Sequence, residues 1–369
     1  STMRTFHIAA QVAVILTCIS SNCEFVNAKV SCKNAEGKNV DWFVLYKIPK
    51  TKYDPRSFKQ PDGGEMAYFD STHTSAKNQK WKLLDDIYSK KRNPIRETLA
   101  PIYKKNPKVA FVAYNDQPPR NFNGTRGGHT KGVLMVGKGH DIGAVWLQHS
   151  VPQFVQDVAK DYLYPENGRE NGQLFLCITF PVQEVEDIAY QLQVQAINVY
   201  QSKVQNWASA FPNFWMLLNK KYLRNLRHLQ INLMVTQARR LVLAISKPPN
   251  WPKDIYTEEL KNTMNGSITV QSWRNGAGSA QKQYCTKGYS VTDVEIIRIQ
   301  TQKGSLYFSS REDHSKWYVS WKMDIFCASS LNRMLSQMKR GGGITCIWNK
   351  PLAELFRNSI DKRSQCKGE

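Results

Sequence analysis

Two triplets in this chain pair a histidine with a lysine two positions later: His129-Thr130-Lys131 and, nearly half a chain further on, His314-Ser315-Lys316. On an extended backbone, side chains at i and i+2 face the same side. Each histidine would therefore share a face with its lysine, the ring able to attack or to move a proton and the ammonium able to hold a phosphate oxygen by charge. Two such pairs would form a symmetric phosphate clamp. One histidine attacks phosphorus to give a phosphohistidine, the other protonates the leaving oxygen, and Lys131 and Lys316 neutralise the non-bridging oxygens. A single triplet means little, because chance places one in many chains. Two, each ahead of a strand-like run, carry more weight.

The elements that must position these residues read as strands and a few helices. Apolar or β-branched runs at 42–48, 109–114, 133–136, 144–147 and 174–180 are bounded by Gly, Pro and Asn, as strands are. Gly127-Gly128 gives the first triplet a flexible approach. Beyond Pro181, apolar residues Val182, Val185, Ile188, Ala189, Leu192 and Ala196 recur at helical spacing, which predicts a helix joining or crossing the halves. The second half repeats the style, with strands expected at 241–246, 268–273, 294–299 and 317–326, and a helix at 222–233. The fold class is therefore α/β in the broad, mixed α+β sense, with two related halves. Trp42, Trp146, Trp317 and Trp321 lie in apolar strand patterns and are expected in the core.

With 369 residues, 41% of them hydrophobic and 22% charged, the chain can bury one large core or two. Residues 1–28 read as a signal peptide, with Arg4, an apolar stretch at 8–19 and the small-residue site Val26-Asn27-Ala28. That stretch is too short for the ~20 residues of a membrane span, and no membrane anchor is expected. Removing Cys18 and Cys23 with the signal leaves Cys32, Cys177, Cys285, Cys327, Cys346 and Cys366 for three disulfides in an oxidising compartment. Their scatter lacks the close pairing of a zinc site, so no metal is expected. Asn123 and Asn265 head glycosylation sequons. The formal net charge of +21 survives signal removal, which takes one Arg and one Glu, and favours a polyanionic partner.

The segments around both triplets resemble deoxyribonuclease II, a branch of the phospholipase D superfamily. The residues carrying the resemblance span nearly the whole mature chain: Val40-Asp41-Trp42-Phe43-Val44-Leu45-Tyr46-Lys47, Tyr114-Asn115-Asp116-Gln117-Pro118-Pro119, Gly128-His129-Thr130-Lys131-Gly132, His149-Ser150-Val151-Pro152, Glu312-Asp313-His314-Ser315-Lys316-Trp317 and Arg340-Gly341-Gly342-Gly343. The resemblance implies a phospholipase D-like pseudo-dimer of two sheet-and-helix halves, here 29–195 and 196–369, with the active site between them. It implies acid, metal-independent and cofactor-free hydrolysis of DNA to 3′-phosphate and 5′-hydroxyl ends. His129, Lys131, His314 and Lys316 match the catalytic positions, and His149 a further histidine needed for activity; the alternative for His149 is a structural anchor of the Ser150-Val151-Pro152 turn. Family-like pairing joins Cys32 to Cys177, Cys327 to Cys346 and Cys285 to Cys366. Tyr318 replaces an unpaired cysteine common in vertebrate relatives, and the aspartate that follows the triplet in the wider superfamily is missing. Glu312, Asp313 and Asn115 are then the candidates to orient the histidines.

Two rival readings remain at this level: a secreted, non-catalytic polyanion-binding relative, and a phosphodiesterase acting on RNA or lipid. The intact triplets speak against the first, and the lack of a basic interfacial helix against lipid. DNA read without sequence specificity is the expected partner, in a lysosomal or secreted setting, and the sequence leaves a homodimer open.

Overall fold

Alternation of side chains in the opening strand shows how the layers are built. In Trp42–Lys47, Trp42, Val44 and Tyr46 enter one apolar cluster while Phe43 and Leu45 enter another, and all six residues are buried. A strand covered on both faces needs a layer on each side of its sheet. The computed structural model, which describes residues 29–73, 79–264, 266–276 and 278–366, supplies them. The expected signal peptide and Asn265 lie outside the described residues.

The first sheet has eight antiparallel-paired strands in the order Val199–Lys203, Val109–Tyr114, Gly132–Gly137, Gly143–His149, Gln173–Phe180, Trp42–Lys47, Glu65–Asp70 and Lys82–Asp86. The second runs Gln230–Val235, Leu241–Lys247, Gly342–Trp348, Ile325–Ser329, Trp317–Ser320, Ile268–Gln271, Tyr289–Thr301 and Tyr284–Thr286, with Gly304–Ser309 and Ile360–Arg363 also paired to Tyr289–Thr301. Laid over each other, the two orders match through five strands. Trp42–Lys47, Gln173–Phe180, Gly143–His149, Gly132–Gly137 and Val109–Tyr114 correspond to Leu241–Lys247, Gly342–Trp348, Ile325–Ser329, Trp317–Ser320 and Ile268–Gln271. In each sheet the histidine-x-lysine triplet immediately precedes the fourth of these. The mixed α and β class and the two-halved, phospholipase D-like plan therefore hold.

One apolar layer belongs to both sheets. It takes Trp42, Tyr46 and Trp146 from the first, Trp317, Phe326 and Ile347 from the second, and Phe356 from the helix Lys350–Asn358. The helix Val185–Val194 forms where the spacing predicts and leans on the second sheet, its Gln191 amide donating to Asn232 Oδ1 (2.7 Å) and the following Gln195 amide to Ser246 Oγ (2.8 Å). A second cluster lies under the helix Pro94–Tyr103, started by the Asn93 cap, and a third covers the far face of the second sheet.

Two expectations fail for local reasons. Residues 222–229 form no helix, and Gln230–Val235 is a strand, because it pairs in register with Leu241–Lys247 across a tight turn. The run at 317–326 is not one strand but two, Trp317–Ser320 and Ile325–Ser329. The Ser320 hydroxyl closes the turn between them by accepting from the backbone N–H of Lys322 (3.2 Å) and Met323 (3.1 Å). Trp321 therefore sits on that turn, 43% exposed under Arg363, while Trp42, Trp146 and Trp317 are buried. Disulfides join Cys32 to Cys177, Cys285 to Cys366 and Cys327 to Cys346, the last between directly opposed strand residues.

Because the central layer is shared, the halves are expected to unfold together. Phe356 stacks on Phe326 (4.0 Å) and meets Trp317 (4.9 Å) of the second half and Trp81 (5.2 Å) of the first edge-on. Phe356→Ala should cost about 3–5 kcal/mol in urea unfolding while leaving a single transition. A loss under about 1 kcal/mol, or wild-type unfolding in two separated steps, would contradict a shared core.

Candidate active site

Each triplet is fixed by backbone from the opposite half. His129 N–H donates to Gly341 O (2.8 Å), and Gly341 N–H donates back to Gly127 O (2.9 Å). Gly128 is pinned beside them, its N–H donating to Ala196 O (3.1 Å). A Cβ on Gly128 or on Gly341 would stand 2.4 Å from Gln195 O, so only glycine permits this approach. Reciprocally, His314 N–H donates to Gly172 O (2.9 Å), and Gly172 N–H to Glu312 O (2.8 Å).

The rings are held differently. His129 Nδ1 lies 2.7 Å from Ser330 O. A carbonyl can only accept, so Nδ1 carries the proton and Nε2 of the neutral ring keeps its lone pair. Nε2 is 4.0 Å from Asp116 Oδ2. His149 shows the converse: its Nδ1 accepts from Val151 N–H (3.2 Å), so Nε2 of the neutral ring bears the proton, buried and unpartnered. His149 thus anchors the turn after it and still offers a donor. His314 rests against Trp273 with ring centroids 4.0 Å apart, and its Nε2 is also buried without a partner.

The charges are unequal across the site. Lys131 Nζ donates to Asp116, which also accepts from Arg340 (3.2 Å). Lys316 is buried, and among the described residues it donates only to the carbonyl of His314. Burial, then the charge of Lys131, brings Lys316 down to about 7. Burial brings all three histidines down to about 3. Asp116 opposes the fall at His129 while Lys131 and Lys316 add to it; Lys131 adds to it at His149; Lys316, Lys131 and Lys47 add to it at His314. Lys131 therefore lies near enough to His129, His149, His314 and Lys316 to act on all four. Asp116 is pushed well below the usual carboxylate range, chiefly by Lys131 against the opposing effect of its own burial.

None of the three candidate orienting groups meets a histidine ring. Glu312 accepts from Thr51 Oγ1 (2.7 Å) and Ser309 N–H (3.0 Å), closing a capping box. Asp313 accepts from Tyr46 and from Ser315, both hydroxyl and N–H. The Asn115 amide ties down Val151 O and Phe154 O. The Ser330 carbonyl takes the orienting role at His129, and a backbone acceptor leaves no mark in a sequence. Asp116, Arg340, Trp273 and the buried Lys47, whose Nζ donates to Arg169 O (2.7 Å), complete the surroundings. Asp116 and Arg340 stand inside segments that carried the family resemblance, so that signal was available. Among the described residues no group of three His, Cys, Asp or Glu side chains is placed to hold a metal ion, and no helix is long and apolar enough to cross a membrane. The sequon residue Asn123 is exposed on the loop leading to Gly127.

Residues 31–366 match the family described as Deoxyribonuclease II. Plancitoxin-1 of Acanthaster planci is 31% identical over 95% of this chain and 96% of its own. Cell-death-related nuclease 7 of Caenorhabditis elegans is 31% identical over 92% and 89%, and human Deoxyribonuclease-2-beta 29% identical over 92% of each.

The site ties stability to pH through two kinds of group. Asp116, lowered in the folded state, contributes stability above the unfolded carboxylate value near ~3.9 and loses it as pH falls through the folded one. The histidines, held at about 3 against an unfolded value near ~6.5, withdraw stability as pH falls between those limits. Asp116→Asn should therefore destabilise the protein by about 3–5 kcal/mol at pH ~6, as breaking a buried pair does, with the difference from wild type shrinking toward pH ~2. Equal stability of the two proteins at pH ~6 would rule out Asp116 as the counter-ion of this site.

Proposed function

Since the chain belongs to the deoxyribonuclease II family and is a nuclease, we propose that it hydrolyses DNA phosphodiester bonds in acid, without a metal, through a covalent intermediate on histidine. The observation that carries this reading is the convergence of both triplets and His149 around Lys131, with each triplet held by the opposite half. His129 is the nucleophile, because its Nδ1–H is committed to Ser330 O and Nε2 is left free to attack. As the Nε2–P bond forms, the P–O5′ bond breaks, and His314 gives its proton to the departing 5′ oxygen. Water then attacks phosphorus, passes a proton to His314, and breaks the P–N bond to release a 3′-phosphate. Lys131 and Lys316 hold non-bridging oxygens throughout, and the Nε2–H of His149 donates to a third position.

Acid enters because the donor is hard to charge. Burial, and then the charges of Lys316, Lys131 and Lys47, keep His314 neutral in the free protein. A bound phosphodiester supplies the negative charge that raises it, and low pH supplies the proton. A lysosomal or secreted acidic setting suits this requirement.

Supercoiled plasmid in excess chelator at pH ~5 should be nicked, giving 3′-phosphate ends, with activity declining toward neutral pH. His129→Ala and His314→Ala should each lower turnover by ~10²-fold or more. A substrate with an activated 5′ leaving group should rescue only His314→Ala. Activity abolished by chelator and restored by a divalent cation would overturn the mechanism, and rescue of His129→Ala alone would exchange the two roles.

A further inference from the structure

Between Asp187 and Asp254 the chain carries nine lysines and arginines and no aspartate or glutamate. Four of them, Lys220, Lys221, Arg224 and Arg227, are exposed within one loop that joins the two sheets. The loop has a fixed seat: the Gln193 side chain, at the end of the helix Val185–Val194, donates to Lys221 O (3.1 Å) and accepts from Leu223 N–H (3.0 Å). Tyr222 is fixed as well, its hydroxyl accepting from Val199 N–H (3.2 Å). On the ring of Tyr222, 3.6 Å from its centroid, lies the guanidinium of Arg126. Arg126 stands three residues before His129, and its Nε is buried without a partner.

The cluster at 90–92 carries ion pairs that this one, among the described residues, does not. Lys90 and Arg92 face Asp161 (3.0 Å) and Glu36 (3.7 Å). Among the described residues no carboxylate pairs with Lys221, Arg224 or Arg227. Unpaired, exposed cations fixed beside a phosphate-cleaving site attract a polyanion and release its counterions.

We propose that the loop at 219–229 is a phosphate track along which one DNA strand runs on its way to the catalytic histidines, with Lys221, Arg224 and Arg227 gripping backbone phosphates away from the scissile bond. Arg126 links track and site through its stack on Tyr222. The contacts are to backbone, so the grip is independent of sequence. This inference rests on DNA being the substrate.

The test compares two triple variants of the full chain on long duplex DNA, followed by cleavage and by binding over a range of salt. Lys221→Ala/Arg224→Ala/Arg227→Ala should raise KM about tenfold with kcat largely kept, and should make the salt dependence of binding shallower by about 2–3 in slope. Lys90→Ala/Lys91→Ala/Arg92→Ala, which removes the same charge elsewhere, should leave KM and slope close to wild type. Equal behaviour of the two variants would overturn the track, leaving only diffuse attraction. Wild-type protein that neither binds nor cuts DNA would sink the nuclease reading itself, and the track with it.

Discussion

Lys131 and Lys316 have to share one buried site, and most of the structure answers to that constraint. Two ammonium groups withdrawn from water repel each other and forgo hydration, a cost that only geometry imposed from outside can sustain. Asp116 compensates one of them; Lys316 finds a carbonyl and is brought to about 7. On the proposed reading, a substrate phosphodiester is the counter-ion of Lys316. Burial first, and then the same repulsion, hold His129, His149 and His314 neutral; in the mechanism proposed above, the proton is withheld until the substrate arrives.

That geometry is imposed by dividing the site between the halves. The bridges of Gly128 to Gly341 and of Gly172 to Asp313 make each triplet depend on a loop of the other sheet. Tyr46, from the first sheet, hydrogen-bonds Asp313 and Ser315 beneath the second triplet, and Trp317 Nε1 donates to its oxygen (3.2 Å). The matching five-strand orders bring the triplets to equivalent places, yet their surroundings differ. The first has a carboxylate and an oriented ring; the second has an aromatic wall and, among the described residues, no ion pair to its lysine side chain. In the mechanism proposed above, this chemical asymmetry within structural symmetry would let one histidine attack and the other donate.

Much of this was legible in the sequence. Strands at 109–114 and 174–180 and the helix after Pro181 follow from periodicity. Local pattern failed where pairing decides. Gln230–Val235 became a strand through its neighbour Leu241–Lys247, and Trp321 was carried out of the core by a turn that a single hydroxyl closes. The group that orients His129 was out of reach altogether, because a carbonyl at Ser330 is common to every residue type. Asp116 and Arg340 were within sight, but only the fold shows that Lys131 of the first half and Arg340 of the second meet at one carboxylate, that of Asp116.

Burial beside Lys131 and Lys316 depresses the histidines, and nitrogen NMR of the rings across a pH titration measures the effect. In the free protein His129, His149 and His314 should remain neutral well below pH ~6.5, His129 protonated on Nδ1 and His149 on Nε2, and Lys316→Met should raise His129 and His314. Rings that titrate near the ordinary histidine value, unmoved by that substitution, would contradict a site governed by its two lysines.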